Sequence, residues 1–346
     1  MLKEKFGDTK KGMEAYKYEL VNSKGMKAVV TDYGATVLSL YVKDKNGDLQ
    51  DVVLGYDDLA SYERGTSYFG AIVGRYANRI SNAQITIDGV DYKLEANDNE
   101  NSLHSGSNGV SGLVWDVKNY TDSSITFTIV SKDLEQGFPG NATIEVTYTV
   151  TEDNELAIKY HAVADKATTF NMTNHSYFNL EGCSAGVVYD QKLQINASGY
   201  TPVCSAKAIP TGEIAPVEGT PFDFRQMKKI GQDINQENEQ LSYGNGYDHN
   251  FAIDKKTDGI ELVATACAPN TGIKMDVLTD AIGIQLYTAN FIAGNIGKGN
   301  TTYVDRGAFC LETQYFPNSI NEPNFVRPVF AANEAYDTTT IYRFYK

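Results

Sequence analysis

The stretch ATIEVTYTV, residues 142–150, alternates apolar and polar side chains without a break. Because successive side chains of a β-strand point to opposite faces, this pattern predicts a strand with one buried and one solvent-facing side. The polar segment TEDNE (151–155) follows, and the alternation resumes at Leu156, Ile158 and Tyr160. The two runs and the turn between them predict an antiparallel hairpin.

The same alternation recurs along the chain. A second hairpin is predicted over 85–94, with Asp88-Gly89 as its turn, and a third over 114–130 around the turn at 122–124. Further strands are predicted at 259–266, 273–279, 283–289, 308–314 and 338–345. Helical patterns are limited to one or two turns at 57–63 and 233–241. Strands at such short spacing favour an antiparallel β-sandwich or barrel over a βαβ architecture.

Length and charge exclude several classes of protein. With 346 residues the chain can bury a large core, as one big β domain or as two smaller ones. The net charge of −14 repels nucleic acid and anionic membranes, so neither is expected as a partner. No apolar segment approaches the ~18 residues of a membrane span, and the first twenty residues lack the apolar core of a signal peptide. These features predict a cytoplasmic protein with a small-molecule substrate.

Metal and cofactor motifs are not found in the sequence. The cysteines Cys183, Cys204, Cys267 and Cys310 form no CxxC pair, and we expect reduced, mostly buried thiols. The four histidines show no ligand spacing for zinc, and no glycine-rich nucleotide loop is present. The sequence therefore predicts activity without a metal or cofactor.

Six segments place polar or charged residues in apolar, strand-like surroundings. They are GRYANRI (74–80), NSLHSG (101–106), TNHSYFNL (173–180), YDHNF (247–251), GIQLYTAN (283–290) and LETQYFPNSIN (311–321). Asp, Glu and Arg are rarely buried without a partner, so these segments predict a polar pocket on the face of a sheet. Glu312, preceded by Phe309, Cys310 and Leu311, is an especially unusual position for a solvent-facing carboxylate.

Taken together and in this order, the six segments resemble the aldose 1-epimerase (galactose mutarotase) family. The resemblance extends from about Gly34 to the C-terminus. It implies one galactose mutarotase-like supersandwich, a single large antiparallel β-sandwich over residues 1–346. It also implies an isomerase of carbohydrate metabolism that interconverts the α and β anomers of a free hexose, galactose or glucose, without a cofactor. We expect a monomer or homodimer.

The resemblance also implies the site. His175 would be the general acid and Glu312 the general base, while Asn78, Arg79, His104, Tyr177, Asp248 and Gln285 would bind the sugar. These residue types fit the chemistry, because ring opening needs a proton delivered to the ring oxygen and another removed from the C1 hydroxyl. Histidine titrates near neutrality, and a carboxylate can be tuned by its surroundings. His161 is assigned no role, and His249 is expected to support the fold.

Three other functions stay open. The first is an epimerase for hexose 6-phosphates, which would need additional basic residues around the pocket. The second is a non-catalytic sugar-binding β-sandwich, against which the presence of both His175 and Glu312 argues. The third is a carbohydrate-cleaving enzyme, which usually requires two carboxylates flanking the scissile bond.

Overall fold

The computed structural model describes residues 2–346, which form antiparallel β-sheets with two short helices. The strands are β1 (Lys3–Asp8), β2 (Glu14–Val21), β3 (Lys27–Thr31), β4 (Thr36–Lys43), β5 (Leu49–Asp51), β6 (Ile72–Val73), β7 (Arg79–Ile80), β8 (Gln84–Ile87), β9 (Val90–Lys93), β10 (Ser102–Leu103), β11 (Asp116–Tyr120), β12 (Ser124–Ser131), β13 (Ala142–Val150), β14 (Glu155–Ala164), β15 (Thr168–Thr169), β16 (Thr173–Asn174), β17 (Lys192–Ile195), β18 (Gly199–Tyr200), β19 (Ala215–Pro216), β20 (Lys228–Lys229), β21 (Asp248–Ala252), β22 (Glu261–Cys267), β23 (Lys274–Thr279), β24 (Gly283–Tyr287), β25 (Cys310–Gln314), β26 (Val329–Phe330) and β27 (Ala335–Tyr345). The helices are α1 (Leu59–Arg64) and α2 (Glu239–Gly244), and short 3₁₀ turns occur at Ser81–Ala83, Val110–Gly112, Glu135–Gly137 and Lys298–Asn300.

Three sheets make up most of the fold. The largest has nine strands in the order β11-β12-β13-β14-β27-β23-β22-β17-β20. The N-terminal sheet has the order β1-β2-β3-β4-β5, and the third has the order β19-β18-β21-β24-β25. Four two-stranded ladders, β10-β7, β15-β26, β16-β6 and β8-β9, link segments outside these sheets. The all-β, antiparallel architecture that the alternating sequence predicts is confirmed.

The hairpin at residues 142–164 supplies the third and fourth strands of the nine-stranded sheet. Ala142 pairs with Ala164 and Val150 with Leu156, and the register between them is unbroken. Its apolar positions, including Ile144, Val146 and Tyr160, are buried, as the alternation predicts. Those side chains share one hydrophobic core with residues of the N-terminal sheet such as Val30 and of the third sheet such as Ile284 and Leu286. The buried face of the large sheet thus packs against the other two sheets, which is the arrangement of a β-sandwich.

Several details differ from the sequence predictions. The second helix is α2, which begins after Asn238 because that side chain accepts hydrogen bonds from the backbone N–H groups of Gln240 and Leu241. The segment 233–238 preceding it forms turns. The prediction of mostly buried thiols is wrong. All four cysteines are free, but only Cys310 is buried, because Cys183 and Cys204 lie in loops and Cys267 is the last residue of β22. No helix within residues 2–346 combines the length and apolarity needed to cross a membrane.

Candidate active site

A cavity of about 220 Å³ lies against one face of the third sheet. Seven of the eight residues implied by the resemblance line it: Asn78, Arg79, His104, His175, Tyr177, Asp248 and Glu312. Its other lining residues are Thr66, Ser67, Tyr68, Leu103, Tyr287, Phe291 and Ile292. Residues from seven separate segments of the chain therefore meet at one place.

The third sheet supplies the carboxylates through its register. Asp248 of β21 pairs with Tyr287 of β24, which pairs in turn with Cys310 of β25. Two residue pairs further along the sheet, Gln285 pairs with Glu312. Residues two apart on a strand share a face, so these side chains all project from the same side of the sheet. The opposite side carries apolar residues of the core, which explains why the three strands are almost completely buried.

The segment 173–180 runs between β6 and β25 and divides its polar residues into two roles. Asn174 donates its amide N–H to the Gly70 carbonyl, and Asn179 donates to the carbonyls of Gly186 and Gly307. Both asparagines therefore fix the local backbone. His175 and Tyr177 instead line the cavity, with their rings stacked at 5.0 Å between centroids.

Gly70 is needed at the next loop because of close backbone packing. It has φ +68, and a Cβ there would stand 2.0 Å from the Val37 carbonyl oxygen. Its N–H donates to the carbonyl of His175 at 3.0 Å. This contact ties the loop carrying Thr66, Ser67 and Tyr68 to the backbone of the histidine.

His175 and Glu312 are two titratable groups that lie close together in the cavity. The His175 Nε2 lies 3.6 Å from Glu312 Oε2, and both side chains are buried. Within residues 2–346, Glu312 Oε2 has no hydrogen-bond partner. Burial lowers the pKa of His175 to about 4, and burial together with the nearby Asp248 raises the pKa of Glu312 well above its ordinary value. These directions favour a neutral His175 beside a protonated Glu312 over the ion pair.

His104 differs from His175 in the hydrogen bond at its Nδ1, which fixes the tautomer of its ring. Its Nδ1 accepts the backbone N–H of Asn78 at 3.1 Å, and a backbone N–H cannot reverse to become an acceptor. The proton of the neutral ring therefore resides on Nε2. Burial, with help from His175 and Arg79, lowers the pKa of His104 well below its ordinary value. His104 is consequently a fixed hydrogen-bond donor, while His175 is able to gain and lose a proton.

Two polar contacts orient the remaining charged groups. Arg79 donates from Nε to Asp98 Oδ2 at 2.8 Å, which directs its guanidinium along the cavity wall. Asp248 Oδ1 accepts from Gln285 Nε2 at 2.7 Å. Of the eight residues implied by the resemblance, Gln285 alone does not line the cavity. Its side chain instead orients Asp248 through this hydrogen bond.

His104, His175 and Glu312 also offer three potential metal-ligand atoms within 4.8 Å of one another. The tautomer of His104 weighs against a metal ion there. A neutral imidazole has a single lone pair, and the lone pair of His104 is already directed at the Asn78 N–H. A metal ion would have to break that hydrogen bond to recruit His104 as a ligand.

The sequence did not point to Thr66, Ser67, Tyr68, Phe291 or Ile292 as cavity residues. Tyr68 has φ +55, a left-handed conformation that is rare for a bulky residue, and its ring lies 4.8 Å from that of His104. Such loop conformations leave no periodic signal in a sequence. The one hint in the sequence was that Phe291 and Ile292 directly follow the segment GIQLYTAN (283–290).

Arg75 and His249 also belong to the six polar segments, but they contact the surrounding fold and do not line the cavity. Arg75 is buried and donates to the carbonyls of Pro139, Ser131, Lys132 and Gly140 at 2.7–3.1 Å. Burial lowers its pKa to about 10. His249 lies 3.2 Å from Gln240 Oε1 and packs edge-on against Phe222, as expected for a residue that supports the fold.

Comparisons with known proteins give a consistent result. A family model described as aldose 1-epimerase matches residues 16–343. Galactose mutarotase from Sus scrofa is 39% identical over 340 residues, 98% of this chain and 97% of that protein. Aldose 1-epimerase from Escherichia coli K12 is 36% identical and covers 94% of both chains.

Solved structures agree. An aldose epimerase homologue from C. elegans matches with a TM-score of 0.89 and 31% identity, over 96% of this chain and 99% of that one. Galactose 1-epimerase from Lactobacillus acidophilus matches with a TM-score of 0.85 and 27% identity, over 99% and 98% of the two chains.

Proposed function

The chain belongs to the aldose 1-epimerase family and is an isomerase that interconverts the α and β anomers of aldoses, and we propose that His175 and Glu312 carry its two proton transfers. One observation supports this assignment above the others: His175 Nε2 and Glu312 Oε2 lie 3.6 Å apart in a buried cavity. The two oxygens that exchange protons in anomerisation, the ring oxygen and the C1 hydroxyl oxygen, are bonded to the same carbon. A side-by-side acid and base therefore match a side-by-side pair of oxygens.

Ring opening follows from these positions. Glu312 removes the proton of the C1 hydroxyl, and that oxygen's electron pair forms the C1 carbonyl. The bond between C1 and the ring oxygen breaks, and the ring oxygen takes its proton from His175. Rotation about the C1–C2 bond then presents the other face of the aldehyde. Ring closure reverses both transfers and yields the other anomer.

The proton count is constant through this cycle. With the cyclic sugar bound, the reacting arrangement is a charged His175 beside an ionised Glu312; with the open aldehyde, both groups are neutral. Burial favours the neutral pair, since it raises the pKa of Glu312 and lowers that of His175. Burial thus stabilises the neutral pair that accompanies the ring-opened intermediate. The positive charge of Arg79 has the opposite effect, because it favours the ionised form of Glu312.

The other lining residues suit a neutral, hydroxyl-rich ligand. His104 offers an N–H donor, Arg79 offers several, and Asp248 accepts. Tyr177 and Tyr287 present ring surface to the apolar C–H face of a sugar, with their centroids 6.0 Å apart. We propose a free aldohexose, galactose or glucose, as the substrate, with Asn78, Arg79, His104, Tyr177 and Asp248 as binding residues and Gln285 acting through Asp248.

The proposal also covers the organisation of the chain. We propose that residues 1–346 form one domain, because a single hydrophobic core includes residues from Tyr18 to Phe344 and draws on all three large sheets. A cytoplasmic monomer or homodimer, working without a cofactor, remains our expectation. A purely sugar-binding role is disfavoured because it gives no reason to bury an acid and a base side by side.

Polarimetry provides the direct test. Freshly dissolved α-galactose and α-glucose should reach their anomeric equilibrium faster in the presence of the enzyme, in proportion to its concentration. Heat-inactivated enzyme is the control. Rates equal to the uncatalysed ones for both sugars would contradict the proposed substrates.

A further inference from the structure

Cys310 lies at the second ring nitrogen of the proposed acid. Its Sγ stands 3.6 Å from His175 Nδ1, and its side chain is fully buried. Cys310 and Glu312 are two residues apart on β25 and share a face of that strand. One strand therefore places a thiol at Nδ1 and a carboxylate at Nε2 of the same imidazole.

The chemistry of a thiol suits a ring that changes protonation state. A thiol is a weak donor and a weak acceptor, so it can donate S–H to a bare Nδ1 or accept from a protonated one. A carboxylate or a carbonyl can only accept from Nδ1. Burial raises the pKa of the Cys310 thiol well above its ordinary value, so the group stays neutral beside the histidine.

We propose that Cys310 is a positioning residue for anomerisation, orienting the His175 ring through Nδ1 in both of its protonation states so that Nε2 stays directed at the sugar beside Glu312. The inference rests on the proposed role of His175. The contrast with His104 supports it: that ring is held at Nδ1 by a donor that cannot reverse, whereas the partner of His175 can.

The other groups around His175 do not replace this contact. The rings of Tyr68, His104, Tyr177 and Tyr287 pack against the imidazole through their faces or edges. The competing acceptor for Nδ1 is the backbone carbonyl of His175 itself. That carbonyl can accept from a protonated ring nitrogen, but unlike the thiol it cannot donate to a bare one.

The test compares three replacements of Cys310 by mutarotation kinetics. Alanine is smaller than cysteine and valine is larger, and neither can form a hydrogen bond with Nδ1; serine retains a donor and acceptor. We expect Cys310→Ala and Cys310→Val to lower kcat about fivefold to tenfold with KM nearly unchanged, the effect of losing one hydrogen bond in the reacting state. Cys310→Ser should stay within about twofold of wild type. Cys267→Ala, which alters a thiol on a strand of the nine-stranded sheet, is the matched control and should not change kcat.

A spectroscopic measurement tests the contact without catalysis. The ¹⁵N resonances of the His175 ring, identified by their loss in His175→Asn, should shift in the alanine and valine variants and stay in place in Cys267→Ala. Unchanged resonances and unchanged kcat in Cys310→Ala would overturn the proposal, as would a serine variant as impaired as the apolar ones. If no variant folds except Cys310→Ser, its kcat and its ring resonances still decide. A failed role for His175 would show separately, as full activity in His175→Asn.

Discussion

The proposed proton transfers depend on two side chains, His175 and Glu312, and each can be replaced by a residue of similar size. We predict that His175→Asn and Glu312→Gln each lower kcat by roughly 10²–10⁴, the usual contribution of a positioned proton-transfer group. Polarimetry of freshly dissolved α-galactose measures kcat for each variant directly. Expression and thermal midpoint should change little, because both replacements keep a polar side chain of approximately similar size.

The pH dependence gives an internal check on the same pair. A second proton can bind only as pH falls through the His175 pKa of about 4, because Glu312, with its raised pKa, is then already protonated. Activity is lost there, since a protonated Glu312 cannot act as base. Near-wild-type mutarotation by His175→Asn or by Glu312→Gln would remove the replaced residue from the mechanism.

Some residues of the site are predictable from the sequence, and others are not. His175 and Glu312 stood out because polar residues interrupted an apolar strand pattern, and the resemblance supplied their roles. The contact between Cys310 and His175 joins residues 135 positions apart, and no local pattern encodes it. Tyr68 was missed for a related reason, since its left-handed backbone is fixed by a loop packed against other segments.

Among the elements, the long strands were predictable and the short ones were not. Strands such as β13 and β14 bury every second side chain, so their sequences carry a period of two. The ladders β16-β6 and β10-β7 have only two residues per strand, too few for any period, yet they hold Asn174 beside His175 and Arg79 beside the cavity. Their positions follow from the packing of neighbouring sheets instead.

Arg75 joins two such elements. Its guanidinium links the segment leading to Asn78 and Arg79 with the loops around Ser131 and Gly140. We predict that Arg75→Met lowers the free energy of unfolding by at least about 3 kcal/mol, because several buried carbonyl groups lose a charged donor. Urea denaturation followed by fluorescence measures the change.

Arg75→Lys provides the comparison for that measurement. Lysine keeps the positive charge but has three donors in place of the five of arginine, so an intermediate loss of stability is expected. Arg64→Lys, on the exposed last turn of α1, is the control and should leave the midpoint unchanged. An Arg75→Met variant as stable as wild type would show that these hydrogen bonds are replaced by water at no cost.

At the scale of the whole molecule, charge decides between a neutral sugar and a sugar phosphate. The net charge of −14 slows the approach of anions, and the cavity itself is lined by the carboxyl group of Asp248. Arg75 is committed to backbone carbonyls, and Arg79 is paired with Asp98. A phosphate site normally offers paired basic side chains or a helix N-terminus. The two helices have six residues each, and neither contributes to the cavity lining.

We therefore predict that kcat/KM for galactose or glucose exceeds that for the corresponding 6-phosphate by at least about tenfold, a difference of only ~1.4 kcal/mol. Saturation-transfer NMR of anomer exchange at matched ionic strength compares the two substrates. Salt screens long-range repulsion but does not supply a phosphate site. Raising the salt concentration should therefore reduce the ratio of kcat/KM for the free sugar to kcat/KM for its 6-phosphate without reversing the preference. Asp98→Asn, which releases Arg79 from its ion pair, should improve the relative rate of the phosphate ester. A preference for the 6-phosphate in the wild-type enzyme would instead identify it as a hexose-6-phosphate epimerase.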